Sequence, residues 1–291
     1  IKDNETILAN FTFLGLLQFV RIIIPLIILP ILIRTLGVDK YGIVIFAQTI
    51  VFYFMIIITF GFEMSATKQI SINRNNKNKL SEIVSAVFII KTILFISSGL
   101  IFASIMFFIP RTNNYFLLFL FSFLFCLQEL VIPIWFFQGL EKMKCITIID
   151  VVSRVIFLLL IVLFIGATED YLLVPIFRFA GVFVAGVLSI YFIFFKEKIR
   201  FHFVTKDKLY YYFKDSLPFF YSKFSTVIND RTNTLLLGAF IGMSAVTYYD
   251  FIYKVVGAVN SIFGTFVRVL YPHIALTKNL KPGQTCFNNQ Y

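Results

Sequence analysis

The sequence predicts an all-α integral membrane protein with about eight transmembrane helices. Of its 291 residues, 59% are hydrophobic and only 14% are charged, whereas a soluble domain carries about a quarter of its residues as charges. Apolar runs repeatedly reach the roughly 20 residues that a helix needs to cross a bilayer. These runs are continuous and do not alternate in polarity, which favours helices over the strands of a membrane barrel. A soluble globular enzyme and a disordered basic tail are both excluded.

Proline interrupts several of the apolar runs. Pro25 and Pro30 lie in the first run, Pro133 in the fourth and Pro175 in the sixth. In lipid, such interruptions persist only where neighbouring helices or a water-filled cavity satisfy the freed backbone groups. They fit either ordinary kinks in packed helices or a bundle that must flex. The predicted spans cover residues 9–33, 41–62, 83–109, 115–138, 147–166, 171–195, 217–241 and 246–274.

The loops between the runs alternate in their content of Lys and Arg. Fifteen basic residues fall in the loops and termini of one side, and only Arg34, Lys40 and Arg111 fall on the other. Cytoplasmic loops of membrane proteins are enriched in Lys and Arg. The alternation therefore predicts that both termini are cytoplasmic and that the number of spans is even.

A long basic loop divides the predicted spans into six and two. The turn that contains Gly37 and Tyr41 has an echo at Gly242 and Tyr248, about 205 residues later. Some transporters consist of parallel repeats, so the echo predicts one complete six-helix lobe and the start of a second, which would stop four helices early. The predicted domains are the N-terminal lobe over 1–200, a cytoplasmic inter-lobe loop over 201–216, the first two helices of the C-terminal lobe over 217–276 and a polar tail over 277–291.

Eight basic residues but only four acids remain within the predicted spans. Because a charge at the centre of a membrane helix costs roughly 2.5–3.5 kcal/mol, these side chains should face the interior or water. Lys91, Lys223 and Arg268 lie within a few turns of the cytoplasmic ends, which is close enough for their side chains to snorkel towards water. The remaining excess of positive charge predicts a basic cavity for an anion such as phosphate or pyrophosphate, which arginine binds through two parallel hydrogen bonds. Scattered structural charges are the alternative.

Two opposite-charge pairs are local in sequence. Asp150 with Arg154, and Asp250 with Lys254, are spaced four residues apart and share a helix face. Each pair fits either a ligand-binding role or an ion pair that only assembles the bundle. The adjacent residues Asp230 and Arg231 point about 100° apart on a helix and should find different partners.

The chain lacks the motifs of the common enzymes and cofactor sites. It contains no GxxxxGK[ST], GxSxG or HExxH sequence and no CxxC pair, so neither a phosphate-cradling nucleotide loop nor a metal site is indicated. The basic segments alternate with apolar spans, which disfavours nucleic acid as a partner. We expect no enzyme activity and no cofactor.

Several short motifs together give the chain a family resemblance. The chain resembles the Wzx-type O-antigen and polysaccharide flippases, in the polysaccharide biosynthesis branch of the multidrug/oligosaccharidyl-lipid/polysaccharide exporter superfamily. Each motif alone is loose, but their order and spacing are specific. They are PLIILP at residues 25–30, RTLG at 34–37, YG at 41–42, GFEMSAT at 61–67, PIWFFQGLEKM at 133–143, LLLG at 235–238 and YPHI at 271–274.

The resemblance implies a twelve-helix bundle of two lobes in the bacterial inner membrane. Such proteins move undecaprenyl-pyrophosphate-linked oligosaccharides from the cytoplasmic to the periplasmic leaflet by alternating access, without an ATP site of their own. Implied partners are the lipid-linked oligosaccharide, membrane lipids and polysaccharide polymerase or assembly proteins. The candidates for the cationic cavity, chosen by depth and charge, are Arg21, Arg154, Arg178, Arg231 and Lys254. Candidates for binding a coupling Na⁺ or proton are Asp150, Asp230 and Asp250.

Two departures from the family pattern bear on these expectations. Family members are usually longer, so the resemblance implies that this chain is incomplete at its C-terminus. His273 stands where relatives often carry Arg. A multidrug exporter of the same superfamily and a non-transporting membrane partner of a polysaccharide assembly complex are the alternative functions. A basic cavity argues against export of cationic drugs.

Overall fold

The computed structural model describes the backbone over residues 2–108 and 115–278, and the side chains of Phe13 and of residues 15–108 and 115–261. Within these ranges the structure consists of helices and turns, with no strand, which confirms the all-α class. The helices are α1 (Lys2–Leu36), α2 (Val38–Thr59), α3 (Phe62–Ile72), α4 (Lys77–Phe108), α5 (Phe116–Phe123), α6 (Gln128–Val131), α7 (Ile134–Gly139), α8 (Met143–Phe164), α9 (Leu173–Tyr191), α10 (Lys206–Phe240) and α11 (Met243–Lys278).

Six helical segments among the described residues are long and apolar enough to cross a membrane. They coincide with the first six predicted spans. The predicted seventh span lies in α10, which carries Lys223, Asp230 and Arg231 and is not among these six segments. The eighth lies in α11, whose side chains after Ser261 fall outside the described set, so a count of eight stays a prediction. The six segments are Gly15–Leu36, Val38–Ile72, Lys77–Phe108, Phe116–Gly139, Met143–Phe164 and Thr168–Lys196.

The chain forms two compact units, Ile1–Tyr249 and Asp250–Tyr291. In the first unit, α8 packs on α9 and α1, and α10 lies along α2 and α3. Phe60 stacks on Phe213 and Phe220 of α10, with ring centroids 4.3 and 4.7 Å apart. The described part of the second unit is residues 250–278 of α11. The division into lobes predicted from the sequence stays a prediction. Its inter-lobe loop over 201–216 is helical from Lys206 onward.

The prolines have different effects on their helices. Pro25 and Pro30 lie inside the continuous α1, and Pro175 lies in the first turn of α9, where a missing N–H removes no helical hydrogen bond. Pro133 instead breaks the fourth span. That span runs through α5, a 3₁₀ turn at Leu124–Leu127 and α6, and then resumes as α7 after Ile132 leaves the helical conformation (φ −117°, ψ 82°).

The two turns predicted to echo each other each contain a glycine with a positive φ. Gly37 joins α1 to α2 with φ +80°, and Gly242 joins α10 to α11 with φ +129°, conformations that favour glycine. The turns also touch. Thr247 Oγ1 donates to the Val38 carbonyl at 2.6 Å, and Ser244 Oγ donates to the Asp39 carboxylate. Both turns therefore lie at the same end of the first unit.

Candidate substrate and ion sites in the bundle

Arg21 and Arg154 converge on the carboxylate of Asp150. Arg21 donates through Nε and Nη2 to the two Asp150 oxygens, each at 3.3 Å, and Arg154 Nε donates to Oδ2 at 2.7 Å. The two arginine side chains are 36% and 32% exposed, whereas Asp150 is 16% exposed. The cluster therefore carries one net positive charge, and its guanidinium groups remain accessible.

The packing of α1 on α8 explains why Arg21 reaches this carboxylate. One turn before Asp150, Thr147 Oγ1 donates to the Phe13 carbonyl of α1 at 3.0 Å. On α8 itself, Arg154 follows Asp150 by four residues, so both side chains lie on one face. The local pair predicted from the sequence is thus joined by a third residue from a distant helix.

A small cavity of about 20 Å³ lies beside Asp150. It is lined by residues of the broken fourth span and of α8, including Gln128 and Ser153. A polar cavity of this size holds a single water molecule. It is too small for a pyrophosphate or a sugar, so any larger ligand requires the helices to separate.

Arg178 and Arg231 contact neighbouring positions on α2. Arg178 of α9 donates to the Gln48 side-chain oxygen at 2.8 Å, and its guanidinium carbon lies 3.9 Å from the centre of the Phe125 ring. The guanidinium carbon of Arg231 of α10 lies 4.5 Å from the centre of the Phe52 ring. Gln48 and Phe52 are four residues apart and share one face of α2. Aromatic rings hold both guanidinium groups through cation–π contacts.

The other predicted site residues have different surroundings. Lys254 donates to Asp250 at 2.6 Å in the second unit, where Asp250 is buried. Asp230 is exposed on α10. Arg231 next to it packs on Phe52, so the adjacent Asp230 and Arg231 do point to different surroundings, as predicted. Within the described residues, no group of three His, Cys, Asp or Glu side chains could hold a metal ion.

A further buried ion pair lies at the break in the fourth span. Lys91 of α4 is 3% exposed, and its ammonium donates to the Glu129 backbone carbonyl at 3.0 Å and lies 3.5 Å from Glu129 Oε2. Thr59 Oγ1 donates to the same carboxylate oxygen at 2.9 Å. Lys91 therefore does not snorkel towards water, because this lysine has buried oxygen partners. Lys223, by contrast, is exposed and donates to Glu63. The Arg268 side chain lies outside the described residues.

Comparison with known proteins decides the family. A family model described as "Polysaccharide biosynthesis protein" matches residues 7–278. The chain belongs to this polysaccharide biosynthesis family. It is 25% identical over 274 residues to a "Putative O-antigen transporter" of Escherichia coli (strain K12), a match that covers 92% of this chain and 65% of the relative. It is 23% identical to a protein of the same name from Shigella dysenteriae, covering 91% of this chain and 67% of the relative. No solved structure matches.

These findings confirm the family resemblance and describe a multi-pass membrane protein of the polysaccharide biosynthesis family. The chain spans about two thirds of the length of the relatives that it matches. The described contacts group four of the five predicted cations into two pairs. Arg21 and Arg154 share one carboxylate, Arg178 and Arg231 share one face of α2, and Lys254 lies in the second unit.

One polar cluster of this family member lies at the predicted cytoplasmic end of α4. Glu82 accepts hydrogen bonds from Lys79 at 2.7 Å, Lys208 at 2.6 Å and Tyr212 at 3.0 Å. Burial, together with this bond to Glu82, raises the pKa of Tyr212 well above its usual value. The cluster attaches the start of α10 to α4, which fixes the segment between α9 and α10.

Proposed function

We propose that this protein exports a lipid-linked polysaccharide unit, such as an O-antigen repeat unit, across the bacterial inner membrane. The unit would pass from the cytoplasmic to the periplasmic leaflet by alternating access, with the N-terminus of the protein in the cytoplasm. The observation that carries the proposal is the pair of arginines, Arg21 and Arg154, on one carboxylate within the apolar bundle. The family match and the names of both relatives support the same substrate class.

The arginine pair suits a phosphate-bearing lipid headgroup. Each guanidinium has five N–H donors, and Asp150 accepts two from Arg21 and one from Arg154 among the described contacts. An incoming pyrophosphate offers more oxygens and more charge than Asp150 does. We infer that it competes with Asp150 for these donors, because bidentate arginine–phosphate pairs are among the strongest hydrogen bonds in proteins.

The remaining cations extend the proposed path of the substrate. Arg178 and Arg231 each have a guanidinium over an aromatic ring, of Phe125 and Phe52 respectively, and a guanidinium can bind an anion through its N–H groups while its face contacts a ring. Lys254 is the candidate in the second unit. We infer that these residues contact acidic sugars or the pyrophosphate during passage.

Asp150, Asp230 and Asp250 remain the candidates for a coupling ion. Asp150 and Asp250 each have a basic partner within hydrogen-bond distance. A proton on either carboxylate would weaken that pair and change the local charge. Exchange of such a proton with the two sides of the membrane would couple the conformation of the helix bundle to a proton gradient.

Surface polysaccharide tests the proposal in the cell. Arg21→Ala and Arg154→Ala, placed in the protein as the cell makes it, should each reduce surface polysaccharide at unchanged protein level. Arg74→Ala is the matched control, because Arg74 forms an exposed pair with Glu141 away from the cluster. Normal polysaccharide in both test variants would contradict the proposed site and favour a non-transporting role in polysaccharide assembly.

A further inference from the structure

The break at Pro133 removes the usual helical partner of the Glu129 backbone oxygen. In an α-helix, the Glu129 carbonyl would accept a hydrogen bond from the N–H of residue 133, but proline has no N–H. The Lys91 ammonium takes that place at 3.0 Å. A side chain from another span therefore satisfies the freed carbonyl, as a membrane interior requires.

The ammonium lies among oxygens of two kinds. The Glu129 carbonyl is 3.0 Å from Lys91 Nζ and the Glu129 carboxylate oxygen Oε2 is 3.5 Å away. Thr59 Oγ1 lies 2.9 Å from that same Oε2 and 2.8 Å from the Met55 carbonyl of its own helix, so it contacts the carboxylate that faces the ammonium. Lys91 is 3% exposed and Glu129 is 14% exposed. The positive charge is therefore enclosed by protein, with one carboxylate to balance it.

Oxygen ligands of this kind also bind small monovalent cations. Transporters with interrupted helices coordinate Na⁺ or protons through the carbonyls of unwound backbone. The broken fourth span has the same elements, a freed carbonyl and a carboxylate near the middle of an apolar helix. The difference here is that a lysine side chain already supplies the cation.

We propose that the backbone carbonyl and the carboxylate of Glu129, the latter in contact with Thr59, form a monovalent-cation site whose resident cation is the Lys91 ammonium. The site is separate from the Arg21–Asp150–Arg154 cluster and does not depend on the exported substrate. Gln128, next to Glu129 on α6, lines the small cavity at Asp150. The short helix α6 thus carries one residue beside the Asp150 cavity and one residue paired with Lys91. We infer that the cation at Glu129 stabilises the helical conformation of α6.

The experiment removes the Lys91 ammonium from the Glu129 site and tests whether a small cation from solution takes its place. Lys91→Ala removes the ammonium and leaves space, whereas Lys91→Met removes the charge but fills the space. Each variant and the wild type are purified in detergent, and their melting temperatures are compared in sodium, potassium or ammonium chloride against choline chloride at about 0.2 M. Choline is too large for the vacated space. The double variant Lys91→Ala/Glu129→Gln removes the carboxylate as well.

The proposal predicts a cation-specific rescue in Lys91→Ala alone. At least one of the three small cations should raise its melting temperature by about 3 °C over choline chloride. The wild type, Lys91→Met and the double variant should show no such difference. Equal melting of Lys91→Ala in all four salts, or the same rescue in the double variant, would overturn the proposal and leave an ordinary structural ion pair. If Lys91→Ala cannot be purified, Lys91→Ser vacates similar space and gives the same comparison.

Discussion

Gly42 packs against the backbone carbonyl of Met243, and a Cβ atom at Gly42 would lie 2.0 Å from that oxygen. The contact joins the start of α2 to the start of α11, beside the Thr247–Val38 hydrogen bond. Two turns that are far apart in sequence, one before α2 and one before α11, are therefore held together at one end of the first unit. A side chain at Gly42 would force them apart.

Gly42→Ala should lower the stability of the protein by about 1–3 kcal/mol, because the backbone on both sides of the contact must move. Thermal unfolding in detergent measures this loss. Gly15→Ala is the matched control, since a Cβ atom at Gly15 would meet nothing within 4 Å. Equal melting temperatures for the two variants would contradict the close contact between Gly42 and the Met243 carbonyl.

Asp150→Asn should destabilise the first unit by about 1–3 kcal/mol, because it removes the negative charge that Arg21 and Arg154 share. The expected loss of stability stays in this range because both arginines are partly exposed, so solvent screens their interaction with Asp150. Asp230→Asn, on an exposed part of α10, should change stability by less than about 0.5 kcal/mol. The two variants are compared by thermal unfolding at neutral pH. A larger loss of stability in Asp230→Asn than in Asp150→Asn would contradict the placement of Asp150 between two arginines and of Asp230 on an exposed surface.

Tyr212 should make the protein sensitive to alkaline pH. Its pKa is raised in the folded protein by burial and by the bond to Glu82, whereas a tyrosine in the unfolded chain ionises near pH 10. The folded state therefore holds a proton that the unfolded state releases, and stability falls as the pH rises above about 10. Tyr212→Phe lacks this titration. We expect a shallower loss of melting temperature for Tyr212→Phe than for the wild type between about pH 9 and pH 11, and parallel losses would contradict the raised pKa.

The sequence predicted the features that depend on local pattern. Six of the eight predicted apolar spans correspond to helical segments that are long and apolar enough to cross a membrane, and spacing by four residues identified the Asp150–Arg154 and Asp250–Lys254 pairs. Gly37 and Gly242 each have a positive φ, whereas the second lobe inferred from their similar turns stays a prediction.

The features that it did not predict depend on contacts between distant helices. Arg21 reaches Asp150 across 129 positions, and no local spacing indicates this pair. The position of Lys91 near the predicted cytoplasmic end of its span indicates access to water, but its partner Glu129 lies 38 positions away in the sequence. One signal could have indicated that partner. Pro133 follows Glu129 by four residues, so a donor from another helix had to satisfy the Glu129 carbonyl.

Translocation in reconstituted liposomes tests the proposed function most directly. The purified protein is placed in vesicles with a pyrophosphate-linked oligosaccharide lipid, and a membrane-impermeant lectin measures the sugar that reaches the opposite leaflet. We predict that Arg21→Ala and Arg154→Ala each lower the initial rate about tenfold, because each removes a charged hydrogen-bond donor for the headgroup. Arg74→Ala should keep the wild-type rate. Wild-type rates in both Arg21→Ala and Arg154→Ala would contradict the arginine pair as the binding site of the headgroup.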